Sequence, residues 1–224
     1  MRVRWFGQSA FRLQGGGRTV FLDPFGVIPP GPRGFRFDLP PIADERADLL
    51  LITHEHFDHN AADRIGGGPH VVRSTAGTLE TPLGTVTAVA SEHDDAAGTR
   101  RGPNTIFVAT LDGVRFCHFG DFGQSALRPE QEAAIGPVDV LFVPVGGGAT
   151  IGGAAAAGIA ARLHARLVVP MHYRTSGVAF LPEGPDGLTA AAAAVHRLPG
   201  PEFDTADLSG GPEGLVVLPA PPTR

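Results

Sequence analysis

Leu49-Leu50-Leu51-Ile52-Thr53-His54-Glu55-His56-Phe57-Asp58-His59 is the stretch whose reading decides the fold of this chain. The opening apolar run has the length and composition of a buried strand. Directly after it, His54, His56, Asp58 and His59 fall within six positions. Side chains alternate along an extended backbone, so His54, His56 and Asp58 can project to one side, and a turn after Phe57 brings His59 beside them. Such a density of nitrogen and oxygen donors at a strand end reads as a metal site, with donors enough for two ions.

The pattern His-x-His-x-Asp-His resembles the signature of the metallo-β-lactamase superfamily. That resemblance implies further ligands downstream, each at the end of a strand. His93 follows the alternating run Thr85 to Ala90, Asp121 follows Val114 to Gly120, and His172 follows Leu167 to Met171. Carried over by position, His54, His56 and His93 would hold one ion. Asp58, His59 and His172 would hold the other, with Asp121 between them. The resemblance extends over nearly the whole chain and narrows to small metal-dependent hydrolases related to L-ascorbate-6-phosphate lactonase. It rests there on Glu92 to Asp95, Gly98 to Asn104, His118 to Gly123, Val143 to Gly147 and Pro170 to Tyr173.

Working outward, 224 residues suffice for one substantial core, and no linker separates halves of different composition. The expectation is a single domain over residues 1–224, with 219–224 as a loosely ordered tail. No apolar run approaches the roughly 20 residues needed to span a bilayer, and the start shows no signal-peptide profile. A cytoplasmic protein is expected. Cys117 is the only cysteine, which excludes intramolecular disulfides and thiolate zinc clusters. The net charge of −5 is mild and no basic block marks a nucleic-acid track. All 18 cationic residues are arginine, so a catalytic lysine is excluded. With 31 Gly and 21 Pro, the composition looks like the imprint of a GC-rich genome.

Strand-like segments joined by turn signals open the chain, from Val3 to Leu13 and from Arg18 to Leu22. A Gly/Pro-rich loop from Gly26 to Pro41 follows, flanked or occupied by Phe25, Phe35 and Phe37, and either covers a pocket or is a surface loop. Ala61 to Ile65 reads as a short helix, and His70 to Arg73 as a strand. Asp112-Gly113 predicts a hairpin between Asn104 to Leu111 and Val114 to His118. Pro129 to Ile135 has proline at a helix start and Gly136 at its end. Val138 to Val145 reads as a buried strand leading into Gly146-Gly147-Gly148. Helices are expected over Ala154 to His164 and Leu188 to Leu198, with a strand at Arg166 to Val169. Hairpins followed by alternating strands and helices suit an α/β fold of two mixed sheets flanked by helices, the four-layer αββα sandwich.

Zinc favours neutral imidazole and carboxylate oxygen, and manganese accepts the same donors. Two divalent ions, Zn2+ first and Mn2+ second, with Fe behind them, are the expected cofactors. Two such ions would depress the pKa of a bridging water and polarise a carbonyl or phosphoryl oxygen. The expected activity is hydrolysis of an ester, lactone or phosphodiester bond in a small, potentially anionic molecule by metal-activated hydroxide, with Asp58 and Asp121 at the reacting centre. Two rivals stand beside it: an iron-dependent redox enzyme on the same fold, and a non-catalytic metal-binding module. The redox relatives of this fold typically carry Glu at the position of His56 and a flavin domain, and this chain has neither. Homo-oligomerisation is left open.

Other residues are candidates for support. Asp23 matches a superfamily aspartate behind the metal loop. His118 is read first as a hydrogen-bonding neighbour of the ligands, with a proton shuttle and a core histidine as alternatives; Arg101 and Asn104 as orienting Asp94, contacting an anionic substrate or serving only the structure of their loop; and Tyr173 and Arg174 as facing the pocket or anchoring their loop. His70, His164 and His196 read as surface or helix residues. Two positions depart from the branch: Gln8 stands where Gly-His-Ser is frequent, and Gln124 where histidine is common after the Gly-Asp pair. Both keep hydrogen-bonding capacity but lose an imidazole.

Overall fold

A computed structural model describes residues 1–29 and 37–222. In chain order the first strands are β1 (Arg2–Gly7), β2 (Ala10–Gly15), β3 (Arg18–Leu22), β4 (Glu45–Arg46) and β5 (Leu49–Ile52). Next come β6 (Ile65–Gly66), β7 (His70–Arg73), β8 (Gly77–Thr81), β9 (Gly84–Glu92), β10 (Pro103–Leu111) and β11 (Val114–His118). The remainder are β12 (Val140–Pro144), β13 (Leu167–Met171), β14 (Val195–Arg197), β15 (Glu202–Asp204) and β16 (Leu215–Leu218). Three α-helices intervene: α1 (Pro129–Ile135), α2 (Gly153–Arg162) and α3 (Asp186–Ala191).

One sheet has the order β15-β1-β2-β3-β5-β7 and the other the order β14-β16-β13-β12-β11-β10-β9-β8; β4 and β6 form a small parallel pair. Apart from the long-range pair β1-β15, the antiparallel parts join strands consecutive in sequence, and crossovers make the parallel parts, β3-β5-β7 and β11-β12-β13-β16-β14. The Asp112-Gly113 turn takes positive φ at both residues, which matches the right-handed twist of β10 and β11.

β5 shows why the apolar run has no polar alternation. Leu49 and Leu51 pack into the core between the sheets, whereas Leu50 and Ile52 pack into a second cluster outside the first sheet. Both faces are buried, so every position must be apolar. Truncating one of these leucines to alanine costs about 2–5 kcal/mol. The outer cluster contains Phe6, Phe21, Phe25, Phe37, Val178 and Leu181, drawn largely from loops. The three α-helices instead contribute Ile135, Ala156, Ile159, Ala160 and Leu188 to the core on the side of the second sheet.

Three segments differ from expectation. The alanine-rich stretch from Leu188 stops being helical at Ala191, and Val195 to Arg197 pairs with Val216 to Leu218 as an edge strand. Sheet pairing overrides the helix propensity of alanine there, and Pro199-Gly200 ends the segment. The tail is held further than its prolines suggest: Pro219 is buried and Ala220 N–H donates to Gly200 C=O at 3.1 Å. Ala62–Arg64 is a 3-10 turn. Of the Gly26 to Pro41 loop, residues 30–36, Phe35 among them, lie outside the described residues. Its ends are anchored, since Phe25 and Phe37 are buried with ring centroids 5.1 Å apart and Phe37 bridges to Val178. Among the described residues no helix is long and apolar enough to cross a membrane.

Candidate metal centre

β3, β5, β9, β11 and β13 all point the same way within their sheets, so the loops after them gather at one edge of the sandwich. β5 delivers His54, His56, Asp58 and His59; β9, β11 and β13 deliver His93, Asp121 and His172. The two sheets are joined under this edge by a backbone hydrogen bond, Thr105 N–H to Thr53 C=O at 3.0 Å. Gly120 is required here. Its φ is +54°, and a Cβ would overlap Asn104 Oδ1 and Thr53 Oγ1.

All seven expected donors converge in two groups, His54, His56, His93 with Asp121, and Asp58, His59 with His172, each with its donor atoms within 4.8 Å of one another. Asp121 lies between them. Its Oδ2 is 3.0 Å from His93 Nε2 and 3.1 Å from His172 Nε2, and its Oδ1 is 3.3 Å from His59 Nε2.

The surroundings fix which ring nitrogens are free. His59 Nδ1 is 3.0 Å from Asp23 Oδ2 and His93 Nδ1 is 3.0 Å from Ala149 C=O. Both oxygens only accept, so each Nδ1 carries a proton and each Nε2 is the atom turned toward Asp121. Thr53 Oγ1 donates to Asp23 Oδ2 at 2.7 Å and therefore accepts from His54 Nδ1 at 3.0 Å, which frees His54 Nε2 as well. That atom lies 3.1 Å from His56 Nδ1. Two ligands of one tetrahedral zinc, each about 2.0–2.1 Å from it, stand about 3.3 Å apart. Buried His59 Nε2 and Asp121 Oδ1 face each other with no hydrogen-bond partner. These donors fit a bound cation.

Electrostatics agree. Burial pushes His54 down to about 2, with the neighbouring His59 acting the same way, and burial also lowers His56. Both rings are therefore neutral and able to coordinate. Burial works against charge on His59, yet Asp121 and Asp58 raise it well above the usual range. Burial likewise opposes ionisation of Asp121, but His172 and His59 hold it well below the usual carboxylate range. The site calls for positive charge beside Asp121.

Asp23 is the hub behind the loop. Fully buried, it accepts from Thr53 N–H at 2.8 Å, Thr53 Oγ1, His59 Nδ1 and His118 Nε2 at 2.9 Å. Burial raises its carboxyl, but the charge and hydrogen bond of His118, joined by His59, hold it well below the usual range. His118 thus reaches an ion through Asp23 and then His59, three contacts away inside the core, and its ring hydrogen-bonds none of the seven donors.

Arg101 takes the loop role among its readings, whereas Asn104 and Tyr173 are placed differently from expectation. Arg101 meets Asp94 through its backbone N–H at 2.8 Å, alongside those of Ala96, Gly98 and Arg100, so the loop backbone and not the guanidinium satisfies Asp94. Asn104 does not touch Asp94. Its Oδ1 accepts from Asp121 N–H at 3.0 Å, and its Nδ2 donates to Ser91 Oγ and Phe119 C=O. Tyr173 packs into the core against Trp5, ring centroids 5.4 Å apart, because His172 at φ +49° turns the following residue inward. Burial pushes its phenol above its ordinary value. Arg174 and His196 are exposed, and His164 pairs with Glu213.

Three supporting contacts escaped the sequence reading: Thr53 to His54, Ala149 C=O to His93, and Gln8 Nε2 to Asp58 Oδ2 at 2.9 Å. Only the last left a signal, the glutamine in a slot where the branch carries histidine. Gln124 instead forms a reciprocal amide pair with Gln131 and accepts from Glu92 N–H, fixing the strand end before His93.

The chain's kinship agrees with this geometry. Residues 2–172, which include every donor named above, match the beta-lactamase superfamily domain. A UPF0173 metal-dependent hydrolase of Thermococcus kodakarensis is 30% identical over 78% of this chain and 85% of its own length. A relative of the same name from Pyrobaculum neutrophilum is 30% identical over 88% and 94%. A Thermotoga maritima structure of the metallo-beta-lactamase superfamily superposes with a TM-score of 0.76 at 30% identity, covering 97% of this chain and 98% of that one. The chain belongs to the metallo-β-lactamase superfamily, within the UPF0173 family of metal-dependent hydrolases.

Proposed function

We propose that this protein is a dinuclear hydrolase that cleaves an ester, lactone or phosphodiester bond in a small molecule, with zinc as its first-choice metal and manganese as the competitor. The observation that carries the reading is Asp121, whose two oxygens face Nε2 of His59, His93 and His172 within 3.3 Å, so that one carboxylate serves both donor groups. His54 Nε2, His56 Nδ1 and His93 Nε2 would hold one ion; Asp58, His59 Nε2 and His172 Nε2 would hold the other. When bound, the ions would supply a water of lowered pKa and a Lewis acid for the substrate oxygen. The name of the Thermotoga maritima relative, which refers to a Zn-dependent hydrolase, supports zinc.

The rest of the work falls to the chain. Asp23 fixes the tautomer of His59 directly and that of His54 through Thr53, so neither ring needs to reorient when substrate arrives. Asp121 and His172 are buried, whereas His56 and Asp58 are partly open and Phe57 between them is 60% exposed. Substrate approaches from that side, and Phe57 gives it an apolar surface. His118 and Tyr173 are shut in the core and make no substrate contact.

Elemental analysis of protein purified without added metal, followed by a screen of phosphodiesters, lactones and simple esters, tests this reading. About two equivalents of Zn or Mn per chain, and turnover lost on chelation and regained on reloading, are expected. Iron with visible absorbance would replace the reading with oxidative chemistry. Full occupancy without turnover of any ester class would replace it with a binding role.

A further inference from the structure

Gln8 is 2% exposed and sits in the connection between β1 and β2 with φ +50°. From this position it reaches the second donor group twice. Its carbonyl accepts from His172 N–H at 3.2 Å, and also from Trp5 Nε1 at 3.0 Å, which fixes the connection against the core. Its side chain reaches the loop after β5, fifty residues away, where Nε2 donates to Asp58 Oδ2 at 2.9 Å. A carboxylate only accepts, so the amide nitrogen must face it. Oε1 is then left buried without a partner. An unpaired buried carbonyl is unfavourable, so the orientation is retained for what Nε2 does.

We propose that Gln8 is a positioning residue that sets the occupancy of the second cation position by fixing the carboxylate of Asp58. The inference rests on the dinuclear reading above. Asp58 is the one second-group ligand on a partly open loop: His59 is clamped by Asp23 and His172 is buried, but among the described residues only Gln8 donates a side-chain hydrogen bond to Asp58. The donor is also neutral. An arginine in this place would orient Asp58 equally well but would offset its charge and repel the ion. An amide orients the carboxylate and leaves its full charge for the cation. The first group has no contact with Gln8, so its affinity is independent of this residue.

Competition titration with Zn2+ against a chromophoric chelator reads the two equivalents separately. In Gln8→Asn the side chain is one methylene shorter and cannot span to Asp58, while asparagine tolerates the left-handed backbone. Removing a contact behind a ligand weakens metal by about 10–100-fold. That loss is expected for the second equivalent, with the first unchanged, and Gln8→His, which returns an N–H donor, is expected to recover it. Equal weakening of both equivalents, or of neither, would overturn the inference while leaving the dinuclear reading intact. A Gln8→His protein as weak as Gln8→Asn would overturn it too. One equivalent or none in the unmodified protein would remove both.

Discussion

His54, His56 and His93 present three rings to one side of Asp121, whereas Asp58, His59 and His172 present two rings and a carboxylate to the other. The first group is held by uncharged partners. Thr53 holds the ring next to it in sequence, and Ala149 and the Gln124–Gln131 pair hold His93 and its strand end. The second group leans on a buried carboxylate, Asp23 at the end of β3, and on Gln8 of the β1–β2 connection, on which the His172 backbone also rests. The difference teaches that equal ligand counts do not imply equal rigidity. A group of neutral rings held by uncharged partners is ready for a cation, while a group that includes a carboxylate can be tuned by residues that never touch the ion.

The most severe way to break the comparison is to remove what the groups share. Asp121→Ala should abolish binding of both ions and lower turnover by about three orders of magnitude or more, since Lewis-acid stabilisation is worth several kcal/mol and each 1.36 kcal/mol is tenfold. Metal content by mass spectrometry checks it. Next, Asp58→Ala and His172→Ala should each leave close to one equivalent bound, and His54→Ala should deplete the other position. If all three lost the same equivalent, the two-group description would be wrong.

A smaller effect distinguishes the braces. Asp23→Asn keeps the left-handed backbone, φ +42°, but removes the charge that accepts from His59 and Thr53. Both equivalents should weaken by about 10–100-fold, more for the second, because His54 feels Asp23 only through Thr53. The smallest effect is acid loosening beside His93. Burial raises the Asp94 carboxyl, but four backbone N–H groups, that of Arg101 foremost, hold it down to about 2. A depressed carboxyl stabilises the fold above its ordinary value of 3.8 and loses that contribution as pH falls toward 2. Amide protection across residues 94–101 should therefore persist to pH 4 and fade below it, as hydrogen exchange would report.

The candidate donors were legible in the sequence because they follow strand ends, and strand ends are marked by the switch from apolar to polar residues. The run Leu49 to Ile52 gave away its two-sided burial for the same reason. Of the supporting contacts, Asp23 was legible because it stands where the resemblance marks an aspartate behind the metal loop. Asn104 was misread because its partner, Asp121, is 17 residues away across a hairpin. Tyr173 was misread because adjacency to a ligand says nothing about direction, and the positive φ of His172 sends it inward. The helix expected over Leu188 to Leu198 followed alanine content, and no local signal reports that β16 waits to pair with Val195 to Arg197.

The hydrogen bond from Thr105 to Thr53 marks a seam, and the donors straddle it. Residues before the exposed Pro82 supply His54, His56, Asp58 and His59; residues after it supply His93, Asp121 and His172. Neither half holds a complete donor group. In a chain cut between Thr81 and Gly84 each fragment would carry an incomplete donor set, so a divalent ion would favour their reassembly and a chelator would oppose it.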